Sequence, residues 1–143
     1  MSTSNARILE DGRVGVRFKI SALWVAMLFL FAYGDIFGFF APGQIEEVMR
    51  GEISGIEITQ VFLFGVSVYI AIASVMVYLS LVLRPGVSRW TNIVLAVLYI
   101  VSIVISAIGD TAAYFLFLSA VESMLLLLVI WYAWRWPRPE AAE

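Results

Sequence analysis

Two carboxylic acids stand inside oily stretches of this chain, and they are the residues best placed to do chemistry. Asp35 lies in Ala32-Tyr33-Gly34-Asp35-Ile36-Phe37-Gly38, within an apolar run at 20–40. Glu122 lies in a second run at 112–134, with no other charged residue within a turn of it. A charge in hydrocarbon is costly, so such an acid must face protein or water, and acids of this kind mark ion and proton pathways. Glu122 is about ten residues into its run, or about 15 Å at 1.5 Å per residue, near the midplane of a hydrocarbon core about 30 Å thick. Asp35 is about five residues from the far end of its run, about 7 Å below the boundary. Glu122 therefore reads as the midplane titrating group and Asp35 as an outer carboxylate. The bland alternatives are a protonated Glu122 that hydrogen-bonds a serine or backbone group, and an Asp35 that reaches the interface or caps another helix.

Hydroxyl groups would complete a path. Ser119 shares a helical face with Glu122, whereas Tyr33 points about 100° or more away from Asp35. One run carries Gln60, Ser67, Ala71, Ser74 and Tyr78; another carries Asn92, Ala96, Tyr99, Ser102, Ser106 and Asp110. Spacings of 3, 4 and 7 keep each set on one face. Small and hydroxyl residues let membrane helices pack closely and hydrogen-bond across the contact. The alternative is a polar cavity, opening outward, lined by these stripes with Asp35 and Glu122. Both readings place the stripes inside the bundle. Asp110, in Gly109-Asp110-Thr111, reads as a turn or N-cap residue.

The inventory excludes much other chemistry. With no Cys and no His, there is no disulfide, thiol nucleophile, thiolate zinc site, Ser-His-Asp set or histidine-ligated haem. No cofactor and no metal site is expected; a hard-metal set of Glu46, Glu47 and Asp110 is unspecific. The basic residues are too few and scattered for nucleic acid and suit anionic lipid instead. An enzyme acting on lipid through Asp35, Asp110 or Glu46 would lack any recognisable motif, so the reading leans away from an enzyme, with no catalytic residue assigned.

The elements that must position these groups are membrane helices. The chain is 62% hydrophobic, well above the roughly 45–50% of a soluble domain, so the bilayer must be its solvent. The mean hydropathy of +0.96 says the same. Four helices are expected, at about 20–40, 58–83, 90–109 and 112–134, in one domain over 1–143. The first run is too long for a signal-peptide core and reads as a retained helix, with Trp24, Phe39 and Phe40 as interfacial aromatics. Pro42-Gly43 stops it, Arg84-Pro85-Gly86 ends the second helix, and the short link 85–89 makes the second and third antiparallel neighbours. Between the first two spans, Ile45, Val48, Met49, Ile53 and Ile56 recur at helical spacing, at least up to Gly51, among Glu46, Glu47, Arg50, Glu52 and Glu57, and read as a short amphipathic helix in the interface, followed by a Ser54-Gly55 turn. Eight of the nine Lys and Arg fall on one side of a four-span arrangement. The positive-inside rule then puts both termini in the cytoplasm, in the inner (plasma) membrane. No internal repeat supports an inverted-repeat transporter.

The string Leu23-Trp24, Tyr33-Gly34-Asp35-Ile36-Phe37-Gly38, Pro42-Gly43, then Gly51 and Gly55 before Ile58-Thr59, resembles an uncharacterised family of small bacterial four-span integral membrane proteins. The resemblance runs on through the Arg84 and Asn92 region into the last helix. It implies the four-helix architecture and no activity. Small multidrug-resistance transporters also have four helices and an acid in the first. Here that acid sits near the outer end, the first loop is longer and a second acid sits in the last helix, which leaves an analogy only.

The expected fold is therefore an all-α membrane protein: an antiparallel four-helix transmembrane bundle with a short amphipathic segment in the first extracytoplasmic loop. The expected function is a polar intramembrane site for a small ligand, cation or proton. The alternative is a non-catalytic accessory or interaction subunit of a membrane complex. The partner in either case is the lipid bilayer, with a homo-oligomer or another membrane protein beside it.

Overall fold

The computed structural model describes residues 14–136. The expectations for the basic N-terminal segment before Val14 and for the tail after Trp136 lie outside the described residues.

Four helices are long and apolar enough to cross a membrane. They are α1 (Val16–Phe39), α3 (Gln60–Val82), α4 (Pro85–Ala107) and α5 (Ala113–Trp134). A six-residue helix, α2 (Gln44–Met49), and a two-stranded ribbon of β1 (Glu52–Ile53) and β2 (Ile56–Glu57) fill the connection between α1 and α3. All four long helices are within a few residues of the runs read from the sequence, and the differences have local causes. α1 starts earlier, at Val16, with Gly15 as its N-cap. The residues 85–89 are not a link: Pro85 is the first residue of α4. Proline suits that position because its missing N–H would be unpaired there and its φ is already helical. It also holds Arg84 extended, at φ −58° and ψ 142°, which ends α3 just before it. The hairpin between α3 and α4 is thus tighter than the spacing of its apolar runs suggests.

The connection after α1 differs more. The helical spacing of apolar residues up to Ile56 is broken at Gly51, whose φ is +83°. Glu52 then pairs with Glu57 and Ile53 with Ile56. The turn residues Ser54 and Gly55 both have positive φ, 50° and 76°, the pattern of a two-residue hairpin turn that matches strand twist. In α2, Ile45 and Met49 face away from the bundle.

Consecutive long helices run in opposite directions, as the cross-helix contacts show. Ser21, early in α1, donates to the carbonyl of Val77, late in α3 (2.8 Å). Trp90 and Trp134 meet at the start of α4 and the end of α5, with ring centroids 6.5 Å apart. Around the bundle the order is α3, α1, α5, α4, with closer packing at α4–α5, α1–α5 and α1–α3 than at α3–α4. The buried apolar core comprises Ile20, Trp24, Met27, Ala73, Met76, Ala96, Tyr99, Ile103, Leu126, Val129 and Ala133. It is unevenly placed. The buried residues of α1 are Ile20, Ser21, Trp24 and Met27, all in its first half; those of α3 are Ala73, Met76 and Ser80, all in its second. The end carrying Arg17, Lys19, Arg84, Arg89 and Arg135 is therefore the tightly packed end. Toward the other end, α1 and α3 bury nothing fully.

Candidate functional site

The tight end is closed by a hydrogen-bonded knot. Trp24 Nε1 donates to Asn92 Oδ1 at 2.7 Å, and Ser80 Oγ lies 3.0 Å from the same oxygen. Asn92 Nδ2 donates to the Ser88 carbonyl at 2.8 Å. All four side chains are inaccessible to solvent. In an apolar surround each of these polar groups needs a partner, and one asparagine supplies acceptor and donor together. Trp24 is therefore no interfacial anchor. Its face, shared with Ile20 and Met27, points into the bundle, and Asn92 holds its N–H there. Trp24 also meets Tyr99 edge-on, with centroids 5.6 Å apart.

Above the knot sits an aromatic and hydroxyl layer. Tyr69 and Tyr99 lie 4.4 Å apart, and Phe31 stacks on Tyr69 at 6.0 Å. Ser102 Oγ donates to the Tyr99 carbonyl at 2.8 Å, which uses its only proton. The Tyr69 hydroxyl, 2.6 Å from Ser102 Oγ, must then be the donor of that pair. The Tyr99 hydroxyl in turn donates to the Tyr69 carbonyl. These bonds bridge α3 and α4, the least closely packed neighbours. Neither the two tyrosine hydroxyl bonds nor the Trp24–Asn92 pair follows from local sequence. Only the shared face of Asn92, Tyr99 and Ser102 signalled them.

Glu122 lies beyond this layer on the inward face of α5, with Ser119 one turn earlier and Leu126 one turn later. Glu122 and Ser119 are each 6% exposed. No described residue donates a hydrogen bond to the Glu122 carboxylate, yet its oxygens are not sealed. Among the described residues, Arg89 Nε is the one side-chain polar atom that is both sealed and unpartnered. Gly34, beside Asp35 on α1, faces the Leu118 side chain of α5, one turn before Glu122; a Cβ there would meet it at 3.5 Å. Asp35 stands four residues beyond Phe31, on the same helical face, and is solvent-exposed where α1 leaves the packed core. The two acids thus belong to one region, with Tyr69 and Ser102 at its base.

The remaining candidates are distributed differently. Ser67 and Ser74 do not line the interior. Both are exposed, and each hydroxyl bonds the carbonyl four residues back, Leu63 at 2.8 Å and Ile70 at 2.9 Å. A serine satisfied on its own helix needs no interior partner. The inward face of α3 is instead Tyr69, Ala73, Met76 and Ser80, so the stripe of Gln60, Ser67, Ala71, Ser74 and Tyr78 points outward. Ser106 is exposed and bonds the Ile103 carbonyl at 2.8 Å. Tyr33 is half-exposed and packs on Phe37. Asp110 accepts from Ala112 N at 2.7 Å in the turn after Gly109, so it is a turn residue, and the N-cap of α5 is Ala112. Gly38 faces the Tyr114 side chain, whose hydroxyl a Cβ there would meet at 3.8 Å.

An open groove of ≈ 330 Å³ runs between α4 and α5, lined by Ile103, Val104, Ile108, Leu116, Ser119 and Ser123 among others. Neither Asp35 nor Glu122 lines it. Among the described residues, no three acidic side chains gather to hold a metal ion, so Glu46, Glu47 and Asp110 form no such set.

No curated protein and no solved structure matches the chain. One family does, over residues 10–143, in keeping with the resemblance carried by the first helix and the glycines after it. The chain belongs to the family of unknown function DUF6326.

Proposed function

We propose that this is a single-domain, multi-pass protein of the inner (plasma) membrane, with both termini cytoplasmic, that binds a proton or small cation in an outward-facing vestibule. Asp35 is the mouth and Glu122 the base. Tyr69, Ser102 and Ser119 supply oxygens along the wall. The observation that carries this reading is the buried Glu122 carboxylate, reachable but without a hydrogen bond from any described residue, in the half of the bundle where α1 and α3 leave the packed core. An acid at that depth with no fixed partner is available to exchange one. The packed knot around Asn92 would close the opposite end, which supports access from the Asp35 side. In the bilayer α2, with Ile45 and Met49 outward, would lie along the outer headgroups.

The test is reconstitution in proteoliposomes, with proton or cation uptake followed by an enclosed dye across an imposed gradient. Glu122→Gln keeps the shape and removes the titrating group, so pH-dependent uptake should vanish while circular dichroism stays unchanged. Equal uptake by wild type and Glu122→Gln would overturn the reading, as would the absence of uptake by wild type.

The outward stripe on α3 favours a second reading, a non-catalytic subunit that packs on another membrane protein. Ser67, Ala71 and Ser74 leave a smooth helix face on which a partner helix can approach closely. Isolation from native membranes in mild detergent should then return a stoichiometric partner, lost on Ala71→Phe. Recovery of the chain alone would count against this second reading.

A further inference from the structure

We infer that the basic end of the bundle carries a built site for the phosphate of an anionic phospholipid, centred on Arg89 and shared between α4 and α5. Arg17, Lys19, Arg84, Arg89 and Arg135 all sit at this end, and no described carboxylate does. The described acids are Asp35, Glu46, Glu47, Glu52, Glu57 and Asp110 toward the other end, and Glu122 in the middle. The cations are held by aromatic faces instead of by acids. Arg89 lies 5.2 Å from the ring centroid of Trp134 and 5.8 Å from that of Trp90. Arg135 lies 5.0 Å from Trp131, Lys19 5.3 Å from Tyr132 and Arg17 5.8 Å from Trp136.

Aromatic faces attract and orient a cation without neutralising it. Three charges, on Arg89, Arg135 and Lys19, are thereby fixed in place and left available for an anion; Arg17 also donates to the Leu81 carbonyl. Arg89 is the strongest case. It is half-buried; its Nε is sealed with no partner among the described residues, and the two Nη groups, which are not sealed and donate to no described residue, are the part left open to an anion. A guanidinium in that state gains from a phosphate on its open side, which it can grip with two parallel hydrogen bonds. The occupant is a lipid because these residues sit at the last turn of an apolar span and the first turn of the next, the level of the headgroup phosphates, with tryptophans between them. Each Lys or Arg near an anionic surface contributes enough to change affinity about fivefold.

The experiment is native mass spectrometry of the full chain in neutral detergent, titrated with phosphatidylglycerol or phosphatidylcholine. Phosphatidylglycerol should bind at least about fivefold more tightly, and Arg89→Gln and Arg135→Gln should each reduce that preference about fivefold. Arg50→Gln, at the opposite end, serves as a folded control and should leave it unchanged. Thermal unfolding checks that the variants remain folded; Arg135→Gln, at the end of α5, keeps the test decisive if Arg89→Gln does not fold. Equal binding of the two lipids would overturn the inference, as would an equal effect of Arg50→Gln. Displacement of the lipid by millimolar glycerol phosphate would assign the site to a soluble phosphate and overturn the lipid assignment. None of these outcomes depends on whether Glu122 titrates.

Discussion

Replacing Asn92 by leucine tests whether the knot is what closes the basic end. The side chain bridges three helices: it accepts from Trp24 of α1 at 2.7 Å, lies 3.0 Å from Ser80 Oγ of α3, and donates to Ser88 of its own α4 at 2.8 Å. Leucine has the same branched four-atom side chain and is somewhat larger, so no cavity opens and the loss is mainly polar. Side-chain hydrogen bonds between membrane helices average about 0.6 kcal/mol and reach about 1.7, so the two contacts that join Asn92 to α1 and α3 amount to about 2 kcal/mol. Trp24 is fully buried, and its stranded N–H adds about 1–3 kcal/mol because no water can replace the acceptor. Asn92→Leu should therefore cost about 3–5 kcal/mol. The assay is reversible unfolding in mixed micelles by increasing fractions of denaturing detergent, followed by far-ultraviolet circular dichroism. The double variant Trp24→Phe with Asn92→Leu has no stranded donor. It should be less destabilised than the sum of its singles by about 1 kcal/mol or more. An Asn92→Leu protein within about 0.5 kcal/mol of wild type, or strictly additive singles, would refute the reasoning.

Other substitutions separate inward from outward groups. Tyr69→Phe removes the proton donated to Ser102 and with it a bridge across the α3–α4 contact, so the same unfolding assay should register a loss of about 0.6 kcal/mol, more if the layer is cooperative. Ser67→Ala and Ser74→Ala, whose hydroxyls bond only their own helix, should stay within about 0.5 kcal/mol of wild type and leave any uptake unchanged; a loss like that of Tyr69→Phe would mean that they face the interior after all. Gly55→Ala forces a Cβ into φ +76° and should cost about 1–2 kcal/mol locally, seen as faster amide exchange across Glu52–Glu57 with the long helices unaffected. Asp35→Asn should weaken cation uptake less than Glu122→Gln, since Asp35 is exposed at the rim; the reverse order in matched proteoliposomes would exchange the roles of mouth and base.

How much was legible depended on which physical rule wrote each feature. The four long helices could be read directly, because a bilayer allows only segments that satisfy their own backbone, and about 20 apolar residues signal one. Proline at 85 marks a boundary without placing it, since a Pro that ends one helix and a Pro that begins the next look alike until the hairpin length is known. In α3 the polar stripe pointed the wrong way. In water, polar residues face out and apolar ones in; in lipid both faces are apolar, so periodicity does not say which side is the interior. A serine that bonds the carbonyl a turn behind, as Ser67 and Ser74 do, can stand on an outward face at little cost.

What the amino-acid sequence determined by itself was the kind of object: an all-helical chain with four membrane-length helices, a carboxyl at mid-depth, another near an end, and basic residues collected on one side. These follow from composition, run length and charge position, which are one-dimensional quantities. The tertiary structure alone decided the helix order α3, α1, α5, α4, the use of Trp24 as a buried donor to Asn92, and the gathering of Tyr69, Ser102, Asp35 and Glu122 toward one region. The physical reason is that rotation of each helix about its axis is set by side-chain hydrogen bonds and packing between residues 33 to 68 positions apart in the chain, such as Tyr69 with Ser102 and Trp24 with Asn92. No local signal carries that information. The depth of Glu122 was readable from its place in a run, and its lack of a fixed partner only from the folded bundle.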